Sequence, residues 1–176
     1  LKITNIETLS MFMTMFRGWF QNSDAKYGDF LKALVEGNVE AMNYYMNRIT
    51  ISTFSYFDVG SGNGDDLGPE RFYHGFVLGL IAEHEEAYEI RSNRESGFGR
   101  YDIMMIPQDY EKHPAIVMEF KVCSRMKKET LEEAVWSALA QIDEKKYDAE
   151  LLARGIPADR IRHYGFAFEG KKVLIG

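Results

Sequence analysis

The sequence predicts an α/β fold of order α-β-β-β-α-β, preceded by a helical segment. Three observations lead there. Apolar residues recur at three- and four-residue spacing up to about position 56, three short strand-like runs lie between 87 and 122, and an amphipathic stretch from Leu131 to Ile142 is followed by two closing strand-like runs. With 176 residues, 45% hydrophobic and 27% charged, the chain is long enough for one full core and an appendage.

From Ile3 to about Tyr56, spacings such as Leu31-Leu34-Val35 and Met42-Tyr45-Met46-Ile49 predict about three helices. Asn22-Ser23-Asp24 has the composition of a helix start, and Gly37-Asn38 that of a stop followed by a new cap. The run from Asp58 to Pro69, rich in glycine and aspartate, cannot support a packed core and reads as a flexible linker over 58–69. It separates a helical segment, 1–57, from a principal domain, 70–176.

In that domain Pro69 opens a helix of about three turns carrying Phe72, Phe76, Val77, Leu80 and Ile81. Strands are expected at 87–93, 101–107 and 115–122, with Gly97 and Gly99 serving the first turn through positive backbone angles. Leu131, Ala134, Val135, Ala138, Leu139 and Ile142 trace one face of a long helix, and a shorter helix covers 148–154. Strands at 162–168 and 172–175 close the order around Glu169-Gly170.

A single cysteine, Cys123, excludes an internal disulfide framework and a thiolate zinc cluster, and it favours a reducing, cytoplasmic location. No apolar run is long enough to span a bilayer. The chain opens at Leu1, so further sequence is expected upstream. A net charge of −6 argues against coating nucleic acid through bulk electrostatics, but not against a site whose carboxylates hold divalent cations.

The chemistry gathers around residues 100–121. Residues 107–114 begin and end with proline, and the apolar runs on either side suit an antiparallel hairpin. If pairing is symmetric about that loop, facing residue numbers sum to 221, which sets Asp102 opposite Glu119 and Arg100 opposite Lys121. Facing Cβ atoms lie roughly 5 Å apart, so two like charges need compensation, and a divalent cation bridging the carboxylates supplies it. Strand periodicity sends Glu119 and Lys121 to one face and Phe120 to the other. A one-residue slip of register would place Asp102 and Glu119 on opposite faces.

The runs Ser96-Gly97-Phe98-Gly99-Arg100-Tyr101-Asp102-Ile103, Val117-Met118-Glu119-Phe120-Lys121-Val122, Ala140-Gln141-Ile142-Asp143-Glu144-Lys145-Lys146-Tyr147 and Tyr164-Gly165-Phe166-Ala167-Phe168 carry a family resemblance. In combination they resemble the PD-(D/E)XK nuclease superfamily, in particular the C-terminal nuclease-like domain of bacterial proteins that also carry an AAA-ATPase-like domain. The resemblance implies a restriction-endonuclease-like fold with a mixed sheet flanked by helices, and metal-dependent hydrolysis of nucleic acid, with DNA as the expected substrate. It further implies that Asp102 and Glu119 bind Mg²⁺ or Mn²⁺ with the Phe120 backbone carbonyl, and that Lys121 orients or activates the attacking water. The superfamily often adds a carboxylate from the first helix. Glu70 is the candidate and Glu83 its rival, although a carboxylate at a helix start also serves the helix dipole. No Gly-x4-Gly-Lys-Ser/Thr loop occurs in the chain, so the ATPase portion is expected to be an upstream partner domain.

Gln141 falls where related recombination nucleases carry a Gln-x3-Tyr helix motif, and it either lines the site or is a solvated helix residue. Six residues of helix rotate Tyr147 about 120° away from Gln141, so Lys145, one turn on, is the better same-face companion. Arg100 suits a phosphate contact or a strand-surface charge. His74, one turn beyond Glu70, either reaches the site or is a packing residue. His84, His113 and His163 lack metal-ligand spacing, and Cys123 suits small filler rather than a nucleophile. Two other functions compete: a nuclease-fold module that binds nucleic acid or protein without turnover, and an N-terminal helical part that mediates oligomerisation or interdomain docking. The sequence leaves the oligomeric state open.

Overall fold

The computed structural model describes residues 27–53, 67–84, 86–123 and 129–176. The first of the three expected N-terminal helices, the Asn22-Ser23-Asp24 start and most of the expected linker lie outside them. Helices α1 (Tyr27–Glu36) and α2 (Val39–Thr53) are joined at Gly37, whose φ is +80°, and Asn38, whose Oδ1 accepts the Ala41 N–H at 3.0 Å. Helix α3 (Leu67–Ile81) starts two residues before Pro69, so the end of the expected linker is already helical. A proline is tolerated there because first-turn N–H groups have no intrahelical partner.

Strands β1 (Tyr88–Ser96), β2 (Gly99–Pro107) and β3 (Ala115–Val122) follow, then α4 (Leu131–Lys145), α5 (Ala149–Ala153), β4 (Ile161–Glu169) and β5 (Lys172–Ile175). The first strand runs three residues further than its pattern suggests, because Arg94, Glu95 and Ser96 pair with Tyr101, Arg100 and Gly99 despite their polarity. The five strands form one mixed sheet in sequence order. All neighbours are antiparallel except β3 and β4, which α4 and α5 join by a crossover.

Period-two alternation divides the sheet between two cores. Ile103, Met105, Ile116, Met118, Phe120, Phe166 and Phe168 face α1, α2 and α3, whereas Met104, Ile106, Ala115 and Val117 face α4 and α5 with Ile142, Tyr147 and Leu151. Helix α4 begins at a capping box, Thr130 with Glu133.

Helix α2 also closes the sheet edge. Asn47 donates to the Val173 carbonyl at 2.8 Å and accepts the Val173 N–H at 3.0 Å; Asn43 does the same for Ile175, at 2.8 Å each way. One helical turn separates the asparagines and one strand period separates their targets, so side-chain amides satisfy the edge as another strand would. Asn47→Ala strips Val173 of both partners and should lower unfolding free energy by about 1–3 kcal/mol in urea titrations. An unchanged midpoint would mean that water replaces the amide.

Candidate active site

Strands β2 and β3 adopt the expected register, Ile103 facing Met118, Met104 facing Val117 and Met105 facing Ile116, and then the ladder ends. The next facing positions are Asp102 and Glu119. The expected pairing of Arg100 with Lys121 beyond them does not form, because the strands have parted. Asp102 Oδ2 instead accepts the Phe120 N–H at 2.8 Å, standing where a neighbouring strand's carbonyl would lie. The result is a fork with Asp102 on one prong and Glu119 and Lys121 on the other.

The alternation of β2 breaks at the same place. Tyr101 packs in the core facing α4, yet Ile103, two residues on, packs in the opposite core. Across the hairpin the pairs Ser92 with Ile103 and Arg94 with Tyr101 flank Asn93, which takes a left-handed conformation at φ 53°. Asparagine adopts that region more readily than most residues.

Helix α4 brings the third component. Lys146 ends it in a left-handed conformation, φ 51°, with its N–H directed at the carbonyls of Asp143 and Ile142. The chain doubles back, and Tyr147 returns beneath the helix. Its hydroxyl donates to the Arg100 carbonyl at 2.9 Å and accepts from Gln141 Nε2 at 3.0 Å. Tyr147, rather than Lys145, is therefore the companion of Gln141, because the helix stops before the rotation that would separate them. Gln141 lines the fork.

Lys121 Nζ donates to Glu119 Oε1 at 3.1 Å and to Gln141 Oε1 at 2.7 Å, while Gln141 Nε2 also donates to Glu119 Oε1. Donor and acceptor ends of the amide are thus both engaged. Glu119 is only 3% exposed, and its Oε2 is buried without a hydrogen-bond partner. Burial, then the charges of Asp102 and Glu70, push its carboxyl up to about 7 against the pull of Lys121. Asp102 is also raised by burial, with the Phe120 N–H, His74, Lys121 and Arg100 opposing.

An unpartnered buried carboxylate oxygen beside a second carboxylate suits a hard divalent cation. The Phe120 carbonyl joins them, since N–H and C=O of one strand residue project to the same edge. Among the described residues no three His, Cys, Asp or Glu side chains converge into a metal cluster. Glu70, in the first turn of α3, lies close enough to raise Glu119 electrostatically. The side chain of Glu83 lies outside the described residues. His74 Nε2 sits 3.2 Å from the Asp102 backbone oxygen and 3.4 Å from Asn93 Nδ2, with its ring edge-on to Phe120, so it reaches the site as well as packing.

Gly165 was not among the sequence candidates. It neighbours Glu119 in the parallel register, and a Cβ there would lie 2.8 Å from the Val135 carbonyl oxygen and 3.0 Å from the Ala138 Cβ. Its bare backbone lets α4 approach closely enough to deliver Gln141, and a glycine within an apolar strand was the available signal. Gly97 takes the expected positive φ of 59°, but Gly99 does not. At Gly99 it is space that is tight, since a Cβ would lie 3.2 Å from the Tyr147 ring and the Lys145 side chain. Cys123 is buried with Ala134, Val135 and Ala167, and burial pushes its thiol up to about 11, which suits filler and not a nucleophile. His84 and His113 flank Tyr88, away from the fork, and His163 bonds Asp148 at 2.8 Å.

A family model described as the PD-(D/E)XK nuclease superfamily matches residues 68–176, more than half of the chain, and the chain belongs to that superfamily. The mixed five-stranded sheet flanked by helices is its restriction-endonuclease-like fold. Members are generally hydrolytic nucleases and typically use divalent metals such as Mg²⁺. No curated protein matches the sequence. Among the described residues no helix is long and apolar enough to cross a membrane.

The raised Glu119 carboxyl makes stability depend on pH. The folded chain holds a proton that the unfolded chain, titrating near 4.5, has released. Stability therefore falls as pH rises from about 4.5 to about 7, by on the order of 3 kcal/mol, and stays lower above. Denaturation in EDTA should show this loss, and Glu119→Gln should flatten that window.

Proposed function

We propose that this member of the PD-(D/E)XK nuclease superfamily hydrolyses phosphodiester bonds in nucleic acid, DNA foremost. Mg²⁺ or Mn²⁺ would be held by Asp102, Glu119 and the Phe120 carbonyl, with Glu70 as the further carboxylate. One observation carries this: Glu119 Oε2 lies buried and unpartnered on a fork whose other prong is Asp102. When bound, the cation supplies a water of lowered pKa and neutralises charge on the phosphate and leaving oxygen.

Lys121 is the side chain that meets the reacting groups. Two of its three N–H donors go to Glu119 and Gln141, which fixes the ammonium and leaves the third for a phosphate oxygen or the attacking water. Tyr147 holds Gln141 from behind, and His74 braces the backbone of Asp102. The water oxygen forms a bond to phosphorus as the ester P–O bond breaks. The water gives up a proton and the leaving oxygen gains one, yielding a phosphate end and a hydroxyl end. The same resemblance supports a larger, ATPase-linked protein in which this domain is the nuclease.

The test is incubation of the chain with labelled single- and double-stranded DNA and RNA in Mg²⁺ or Mn²⁺. Cleavage is expected, falling about 100-fold or more in Glu119→Ala and in Lys121→Ala. Cleavage by Glu119→Ala at the wild-type rate would exclude the fork as its source.

A further inference from the structure

The tip of the β1–β2 hairpin concentrates positive charge in an acidic chain. Elsewhere among the described residues most cations are engaged: Arg91 and Arg154 with Glu89 and Glu150, Lys112 with Asp109, and Arg160 and Arg162 with backbone carbonyls. Arg94, Arg100, Lys145 and Lys146 are exposed and make no ion pair among the described residues. The nearby carboxylates, Glu95 opposite Arg100 and Glu144 on α4, bond to none of them. At the turn itself Phe98 is 73% exposed, with Lys146 Nζ 5.8 Å from its ring centroid.

The mount is rigid. Phe98 N–H donates to the Lys145 carbonyl at 2.7 Å, and Ser96 Oγ donates to the Tyr147 carbonyl at 2.6 Å. A Cβ at Gly97 would collide with the carbonyls of Lys145 and Lys146. The tip is thus seated on the end of α4, the same helix end that positions Gln141 and Tyr147. Phe98 precedes Asp102 by four residues, at most about 13 Å of extended chain.

We propose that this tip is a platform for single-stranded nucleic acid, on which Phe98 stacks an unpaired base while Arg94, Arg100, Lys145 and Lys146 hold the flanking phosphates and lead the strand to the fork. The inference rests on the nuclease reading. An exposed ring offers a π-face to any base, and a base already stacked within a duplex does not present its own, so the platform selects unpaired strands. Four exposed cations supply locally the phosphate affinity that a net charge of −6 denies the chain as a whole.

Fluorescence anisotropy with a labelled oligo-dT and a duplex of equal length, in EDTA, tests this. The single strand should bind more tightly. Phe98→Ala should weaken it about tenfold and Phe98→Tyr should restore it. The double variant Arg94→Gln, Arg100→Gln should reduce the slope of log affinity against log salt by about 1.4. Mn²⁺ binding by Phe98→Ala should match the wild type, since the ring touches none of the fork side chains.

Variants that bind and cleave as the wild type does would overturn the platform and leave the nuclease reading standing. Tighter binding of duplex, or loss of Mn²⁺ binding in Phe98→Ala, would likewise overturn the platform alone. A wild-type chain that neither binds nor cleaves any nucleic acid would overturn both.

Discussion

Two carboxylates at facing positions of adjacent strands repel, and the local structure around residues 101–121 follows from how that repulsion is accommodated. The β2–β3 ladder ends one residue short of Asp102 and Glu119. Asp102 turns into the gap and takes the Phe120 N–H, while Glu119 remains buried with Lys121 and Gln141 on one oxygen and nothing on the other. A buried carboxylate with one oxygen unpartnered is costly, so Glu119 holds its proton up to about pH 7 or acquires a further cation. A fold that keeps such an atom in its sheet carries a strong local demand for positive charge.

The rest of the domain supplies rigidity around that demand. Gly165 lets α4 lie close to β4, the left-handed Lys146 turns the chain so that Tyr147 backs Gln141, and Tyr147 ties this assembly to the Arg100 carbonyl on the opposite prong. From the other face α3 contributes His74 against the Asp102 backbone and Glu70 within electrostatic reach of Glu119. The opening between the prongs is therefore spanned on the α4 side by hydrogen bonds and not by a ladder, leaving its width set by side chains.

Much of this was legible in the sequence because period-two and period-3.6 patterns are strong wherever one face is buried. The hairpin register followed from symmetry about residues 107–114, and it brought Asp102 opposite Glu119 without any structure. What escaped were consequences of backbone departures that side-chain periodicity does not encode. Tyr147 was misjudged because an α-helix was extended through Lys146, a residue with no glycine-like signature for a left-handed stop. The reversal of Tyr101 coincides with the left-handed Asn93 across the hairpin, a polar residue in an exposed strand that pattern reading passes over. Gly165 stood in plain view, but what its missing Cβ permits is set by α4, distant in sequence.

Calorimetric titration of Mn²⁺ into the chain, in two buffers of different ionisation enthalpy and compared with Glu119→Gln, tests the central claim most directly. If the buried Glu119 oxygen is a cation ligand, binding at pH 6 should release close to one proton per ion, release should diminish at pH 8, and Glu119→Gln should abolish both binding and release. No binding at millimolar ion, or binding that Glu119→Gln leaves intact, would contradict it.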